Sequence, residues 1–76
     1  MNKYEIAENI KAIRLLKKYT QEYIAEQMGM SQANYSKIEN GQMEFSVNNL
    51  NRIATALHVE VDMLIQFNPS DLLRKG

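Results

Sequence analysis

The chain has 76 residues, a formal net charge of zero from nine basic and nine acidic side chains, and 45% hydrophobic residues. This size fits one small domain, which we expect to span residues 1–76 with a core at about 8–67 and a short tail at 68–76. The absence of cysteine and the single histidine exclude a disulfide framework and a Cys/His zinc site, so neither a metal nor a cofactor is expected. The first ten residues lack a signal-peptide core and no apolar run approaches about 20 residues, which favours the cytoplasm.

A first amphipathic helix is predicted over about residues 4–17, because apolar residues recur there at steps of three and four. The predicted inward stripe consists of Ile6, Ile10, Ile13 and Leu16. Lys17 and Lys18 at the end of this helix suit the negative pole of its dipole, and this position alone is enough to explain their charge.

Two short helices follow, with only two residues between the end of one and the cap of the next. Thr20 is the predicted N-cap of a helix at residues 21–28, and Ser31 is the predicted N-cap of a helix at 32–40. A glycine follows each of them and can adopt the positive φ of a helix end.

Two further helices complete the predicted fold. Ser46 is the expected cap of a fourth helix with the clearest amphipathic pattern in the chain. Its inward residues are Leu50, Ile53, Ala54 and Leu57. A short fifth helix is predicted at about residues 61–66, with Leu64 and Ile65 inward. A last turn that opens at Pro69 and holds Leu72 and Leu73 is predicted to follow it. Since no two segments pair as strands, the predicted class is all-α, a compact bundle of five short helices.

The most informative segment is TQEYIAEQMGMSQANYSKIENG at residues 20–41. It combines a small residue at the helix crossing, a glycine at the turn and apolar residues under both helices. With LNRIATALHVEVDMLI at residues 50–65, the chain resembles the Xre-type or Cro/CI-type helix-turn-helix family, typified by phage lambda repressor and Cro. The resemblance covers about residues 10–65. It implies that the second and third helices form the helix-turn-helix, that the third lies in the DNA major groove, and that a dimer binds a two-fold or tandem operator.

The outward stripe of the third helix carries residue types that can read base edges. Gln32 can form paired hydrogen bonds to adenine, Lys37 can donate to guanine, and Ala33 can contact a thymine methyl group. Ser36 completes the predicted base-contacting set. The alternative is that these residues simply form the solvated face of an exposed helix.

Phosphate contacts are predicted where helix N-termini present free backbone N–H groups. The predicted residues at these ends are Thr20, Gln21, Ser31 and Asn34. The resemblance implies the same role for Gln21 and adds Asn40, at the end of the third helix. Helix capping is the alternative role for Thr20 and Ser31.

The resemblance also implies a structural ion pair between Arg14 and Glu39. In one respect the sequence departs from the family, because Glu44 stands in the loop where many relatives carry lysine or arginine. Its carboxylate would repel phosphate, so we expect modest phosphate affinity unless other basic residues compensate. The candidates are Lys11, Lys17, Lys18 and Lys37.

These features together predict a sequence-specific transcriptional regulator whose partner is double-stranded DNA. A repressor that binds a palindromic or repeated operator as a homodimer is the favoured form. The expected dimer interface is the apolar C-terminal segment with Leu64, Ile65, Phe67, Leu72 and Leu73. The alternative is a protein-interaction module, such as the antitoxin of a toxin–antitoxin pair, that binds a protein partner through this segment. An enzyme is disfavoured, since no nucleophile or metal ligand converges with Glu22 and Glu26.

Overall fold

The computed structural model describes residues 2–67. They form five α-helices: α1 (Lys3–Leu16), α2 (Gln21–Gln27), α3 (Gln32–Glu39), α4 (Val47–Leu57) and α5 (Val61–Ile65). No strand occurs in this range, and the predicted all-α class is confirmed. The predicted last turn with Pro69, Leu72 and Leu73 lies outside the described residues. None of the helices in the described range is long and apolar enough to span a membrane.

Side-chain caps fix where most of the helices begin. Asn2 Oδ1 accepts the backbone N–H groups of Tyr4 and Glu5 at 3.0 and 2.9 Å, so α1 begins at Lys3, one residue before the predicted start. The predicted caps of the next three helices are observed, at Thr20, Ser31 and Ser46. The fifth helix has no side-chain cap.

Residues with positive φ turn the chain at the helix ends. Gly29 and Gly41 have φ of 69° and 73° and follow α2 and α3, as the sequence predicts. Two non-glycine residues, Lys18 and His58, also adopt positive φ, at 64° and 60°. His58 is the left-handed C-cap of α4.

A single hydrophobic core joins all five helices. The largest side chains in it are fully buried: Tyr35, Ile10, Ile13, Ile24, Ile38, Ile53, Leu57 and Leu64. In this core α1 packs against α3 and α5, and α4 packs against α2 and α5. Burial of one such side chain stabilises a fold by about 1.5–3 kcal/mol, so the core holds α2 and α3 in a fixed relative position.

The burial of two apolar residues differs from a prediction. Leu16, predicted inward, is 50% exposed, because α1 ends there, one turn beyond its last fully buried residue, Ile13. Leu64 is fully buried in the core, as its predicted inward position requires, so its inclusion in the dimer interface was wrong. Its backbone carbonyl accepts a hydrogen bond from Asn9 Nδ2 at 2.8 Å. The part of the predicted interface that remains accessible in the described residues is half-buried Ile65 and Phe67.

Candidate nucleic-acid interface

The two short helices α2 and α3 meet through a compact turn. Ala25, which is 2% exposed, supplies the small side chain in this region. The Met30 backbone N–H donates to the Ala25 carbonyl at 3.0 Å, which closes the turn around Gly29. This turn places α3 directly beside α2.

One face of α3 is buried and the opposite face is open. Tyr35, Ile38 and Glu39 are buried. The four predicted base-contacting residues lie away from the core, with Gln32, Ala33 and Lys37 exposed and Ser36 half-buried. The fold therefore leaves this predicted set accessible to a partner on one helix surface.

The predicted phosphate-contacting residues lie at the ends of α2 and α3. Thr20 Oγ1 accepts the Tyr23 N–H at 3.0 Å and Ser31 Oγ accepts the Asn34 N–H at 3.1 Å, so both hydroxyls act as caps. Asn34 and Asn40 are exposed, and Asn40 Nδ2 lies 3.5 Å from Ser36 Oγ. Asn40 therefore continues the surface that begins with the exposed side chains of α3.

A buried ion pair connects α1 to the end of α3. Arg14 Nε donates to Glu39 Oε2 at 2.6 Å and its second guanidinium nitrogen reaches Oε1 at 3.1 Å. The same guanidinium donates to the Tyr19 carbonyl at 2.8 Å. The two charged side chains are only 9% and 1% exposed. This ion pair, which the resemblance implied, connects α3 to α1.

Two neutral side chains complete the hydrogen bonding of Glu39. Tyr35 Oη donates to Oε2 at 2.6 Å, and Gln21 Nε2 donates to Oε1 at 3.0 Å. Tyr35 lies four residues before Glu39 in α3, a separation that places the two side chains on one face of the helix. In the described residues no buried polar side-chain atom lacks a partner.

The network shifts the pKa values of its three titratable members. Burial favours the neutral form of Glu39, but hydrogen bonds from Arg14, Tyr35 and Gln21 outweigh it, so the pKa of Glu39 lies below its ordinary value. The hydrogen bond with Glu39 raises the pKa of Arg14. Burial, reinforced by the bond to Glu39, raises the pKa of Tyr35 well above its usual range. Glu39 and Arg14 are therefore both charged at neutral pH.

A chain of amides leads from this buried network to the surface. Gln21 is half-buried, and its Oε1 accepts a hydrogen bond from Gln32 Nε2 at 3.3 Å. Gln32 is the exposed first residue of α3. The predicted adenine-reading side chain is thus linked through Gln21 to Glu39, a connection that the sequence did not predict.

The basic residues that could approach phosphate are dispersed. Lys17 Nζ donates to the His58 carbonyl at 3.2 Å, which holds it at the turn between α4 and α5, whereas Lys37 lies exposed on α3. Lys3 is not among the four lysines expected to compensate for Glu44, but its Nζ lies 3.3 Å from Glu44 Oε2 in a salt bridge.

The sequence and the fold agree with one protein family. A family profile described as "Helix-turn-helix" matches residues 10–64, which is most of the chain. The chain belongs to the helix-turn-helix family. No curated protein sequence matches it significantly.

Solved structures of helix-turn-helix proteins are similar to the chain. The restriction-modification controller protein C.AhdI from Aeromonas hydrophila is 28% identical, with a TM-score of 0.73 over 80% of this chain and 92% of that one. A point mutant of the restriction-modification controller protein C.Esp1396I is 27% identical, with a TM-score of 0.75 over 93% and 95%. The P22 c2 repressor in complex with a synthetic operator is 27% identical, with a TM-score of 0.69 over 83% and 96%. Within this helix-turn-helix family, the chain is a DNA-binding transcription regulator.

Proposed function

We propose that this helix-turn-helix protein is a sequence-specific repressor that occupies an operator as a dimer and excludes polymerase from it. The observation that carries the proposal is the exposed polar face of α3. Hydrogen bonds connect its first residue, Gln32, through Gln21 to the buried carboxylate of Glu39. A rigid helix that presents amide, ammonium and methyl groups has the chemistry needed to read base edges.

In the proposed complex α3 lies in the major groove and supplies the base contacts. Gln32 pairs with adenine, Lys37 donates to guanine acceptors, and Ala33 contacts a thymine methyl group. Ser36 is exposed enough to hydrogen-bond to a neighbouring base. Because Gln21 holds the amide of Gln32, part of the ordering cost of that side chain has been met before DNA binds.

Backbone contacts would set the register of the protein on the duplex. We assign these to the residues at the helix ends: Thr20, Gln21, Ser31, Asn34 and Asn40. The N-termini of α2 and α3 add backbone N–H groups and the positive ends of two helix dipoles. Contacts of this kind contribute affinity for any sequence and leave discrimination to the exposed face of α3.

A dimer would bind DNA more tightly than a single copy of this small domain. Two linked copies on adjacent half-sites bind with an effective concentration that a single copy lacks, and two-fold symmetry predicts a palindromic site. We place the interface at Ile65, Phe67 and the residues that follow them. The P22 c2 repressor, a structural neighbour, was solved on an operator.

Selection of duplexes from a random pool with the purified protein tests this function, followed by affinity measurements on the selected and a scrambled duplex. We expect Gln32→Ala and Lys37→Ala each to cost about 1–3 kcal/mol on the selected duplex, with relaxed preference at one base position. Gln27→Ala is the matched control for Gln32→Ala, at an exposed position at the C-terminal end of α2. The scrambled duplex is the control for Lys37→Ala, because loss of a phosphate contact alone would weaken both duplexes equally. Equal losses on both duplexes would contradict base reading, and one monomer per duplex by light scattering would contradict the dimer.

A further inference from the structure

An exposed ion pair lies where the chain leaves α3. Lys3 Nζ is 3.3 Å from Glu44 Oε2. The Glu44 side chain is 87% exposed and that of Lys3 is 30% exposed, so solvent or a ligand can reach both charges. This pair joins the first residue of α1 to the loop between α3 and α4.

Packing holds these two segments against the end of α3. A Cβ atom at Gly41 would lie 2.6 Å from Cδ1 of Tyr4, which shows how closely the tyrosine ring covers the backbone after α3. The Gln42 backbone N–H donates to the Lys37 carbonyl at 3.0 Å, so the loop begins anchored to α3. These contacts therefore hold Lys3 and Glu44 beside the C-terminal end of α3.

Stability does not explain why a lysine stands at this position. Lys3 is the first residue of α1, where the positive pole of the helix disfavours a cation. Its salt bridge with Glu44 and its contact with the Tyr4 ring, whose centroid lies 5.6 Å from Nζ, offset this cost by similarly small amounts. No strong interaction within the fold therefore holds the Lys3 ammonium group, and a ligand of opposite charge can bind it.

The position of the pair points to DNA phosphate as that ligand. Since α3 has eight residues, it is about 12 Å long, close to the width of about 12 Å of the major groove. Phosphates line both edges of the groove. The exposed surface of α3 continues through Asn40 into this loop, so a duplex seated on α3 brings a phosphate edge toward Lys3 and Glu44.

We propose that Lys3 is a phosphate-contacting residue and that Glu44 competes with DNA for it. When a duplex binds, a phosphate oxygen takes the place of the Glu44 carboxylate beside the Lys3 ammonium group. Glu44 thereby lowers affinity for every sequence equally, so that the base contacts of α3 supply a larger share of binding. This inference rests on the proposed function.

Salt-dependent titration of the selected and the scrambled duplex tests the exchange, with wild type, Glu44→Gln, Lys3→Gln and the double variant. Glu60→Gln is the matched control for Glu44→Gln, since it removes the same charge near the turn between α4 and α5. Lys3→Arg is the control for Lys3→Gln, since it keeps the positive charge at the same position. We expect Glu44→Gln to tighten binding of both duplexes about three- to tenfold beyond Glu60→Gln at low salt. The slope of log affinity against log salt should steepen by about one.

The double variant decides whether Lys3 is the group released. We expect Lys3→Gln to remove the gain and the steeper slope in the Glu44→Gln background, and Lys3→Arg to leave both in place. A gain for Glu44→Gln that equals that of Glu60→Gln, or that survives Lys3→Gln, overturns the inference. If wild type binds and selects duplexes while either of these results holds, only this inference fails. If wild type binds no duplex, the proposed function fails with it.

Discussion

Replacement of Arg14 by methionine tests the buried network directly. Methionine fills the space of the aliphatic part of arginine but removes the guanidinium. Glu39 then loses the bonds at 2.6 and 3.1 Å and keeps those from Tyr35 and Gln21. The Tyr19 carbonyl loses its donor as well. The result is a carboxylate that is 1% exposed and has no counter-charge.

The expected cost at neutral pH is a large part of the total stability. Removal of one partner of a buried ion pair costs about 3–5 kcal/mol. At about 0.05–0.15 kcal/mol per residue, a domain of this length has a free energy of unfolding of about 4–11 kcal/mol. We therefore expect the Arg14→Met variant to be partly unfolded at 37 °C, and a loss of DNA binding in it would not identify Arg14 as a DNA contact.

The pH dependence should change sign in this variant. In wild type the pKa of Glu39 is lowered, so its contribution to stability is present above the ordinary carboxyl pKa and is lost as pH falls through the folded-state value. Without Arg14, burial dominates and raises the pKa of Glu39 above its ordinary value. The folded variant then binds a proton more readily than the unfolded chain, and its stability recovers as pH falls from neutral toward that raised pKa.

Urea unfolding followed by far-ultraviolet circular dichroism at pH 7 and pH 5 measures both effects. Lys11→Met is the control, because it removes an exposed cation from the same helix and should change stability by less than about 0.5 kcal/mol. An Arg14→Met loss below about 1 kcal/mol would refute the assigned role of the ion pair. A full loss that does not shrink at pH 5 would refute the reasoning on Glu39.

Two further predictions concern packing. Gly41→Ala should destabilise more than Gly29→Ala: both incur the left-handed strain of about 1–2 kcal/mol, but only at Gly41 does the new Cβ meet the Tyr4 ring, and melting temperatures of the two variants check the order. Leu64→Ala should cost about 2–5 kcal/mol, equally at low and high protein concentration, because the side chain fills the core of one chain; a loss that grows on dilution would instead return Leu64 to an interface.

Local chemistry made most of the fold predictable. Helical spacing of apolar residues and the caps Thr20, Ser31 and Ser46 located the helices to within one or two residues. The start of α1 was missed by one residue, because the cap Asn2 was not recognised. The inward position of Leu64 was predicted, but its inclusion in the dimer interface was wrong, because the sequence of a five-residue helix does not show how completely other helices of the same chain cover it.

The candidate site was predictable in its residue types but not in its connections. The polar face of α3 follows from the buried positions of Tyr35 and Ile38. The links from Gln21 to both Glu39 and Gln32 depend on how α2 and α3 cross, and sequence spacing does not encode that crossing. The same applies to Lys3, whose partner Glu44 is 41 residues away along the chain.

The carboxylate of Glu39 determines which groups donate and which accept in the hydrogen bonds that link it to Gln21 and Gln32. A carboxylate can only accept, so Gln21 must turn its amino group inward and its oxygen toward Gln32. Gln32 donates one N–H to the Gln21 oxygen, so its own oxygen and its second N–H remain available to a partner of α3. The buried charge of Glu39 thus fixes the orientation of the two uncharged amides of Gln21 and Gln32. In the complex proposed above, the acceptor and the remaining donor of Gln32 are therefore oriented before a base is met.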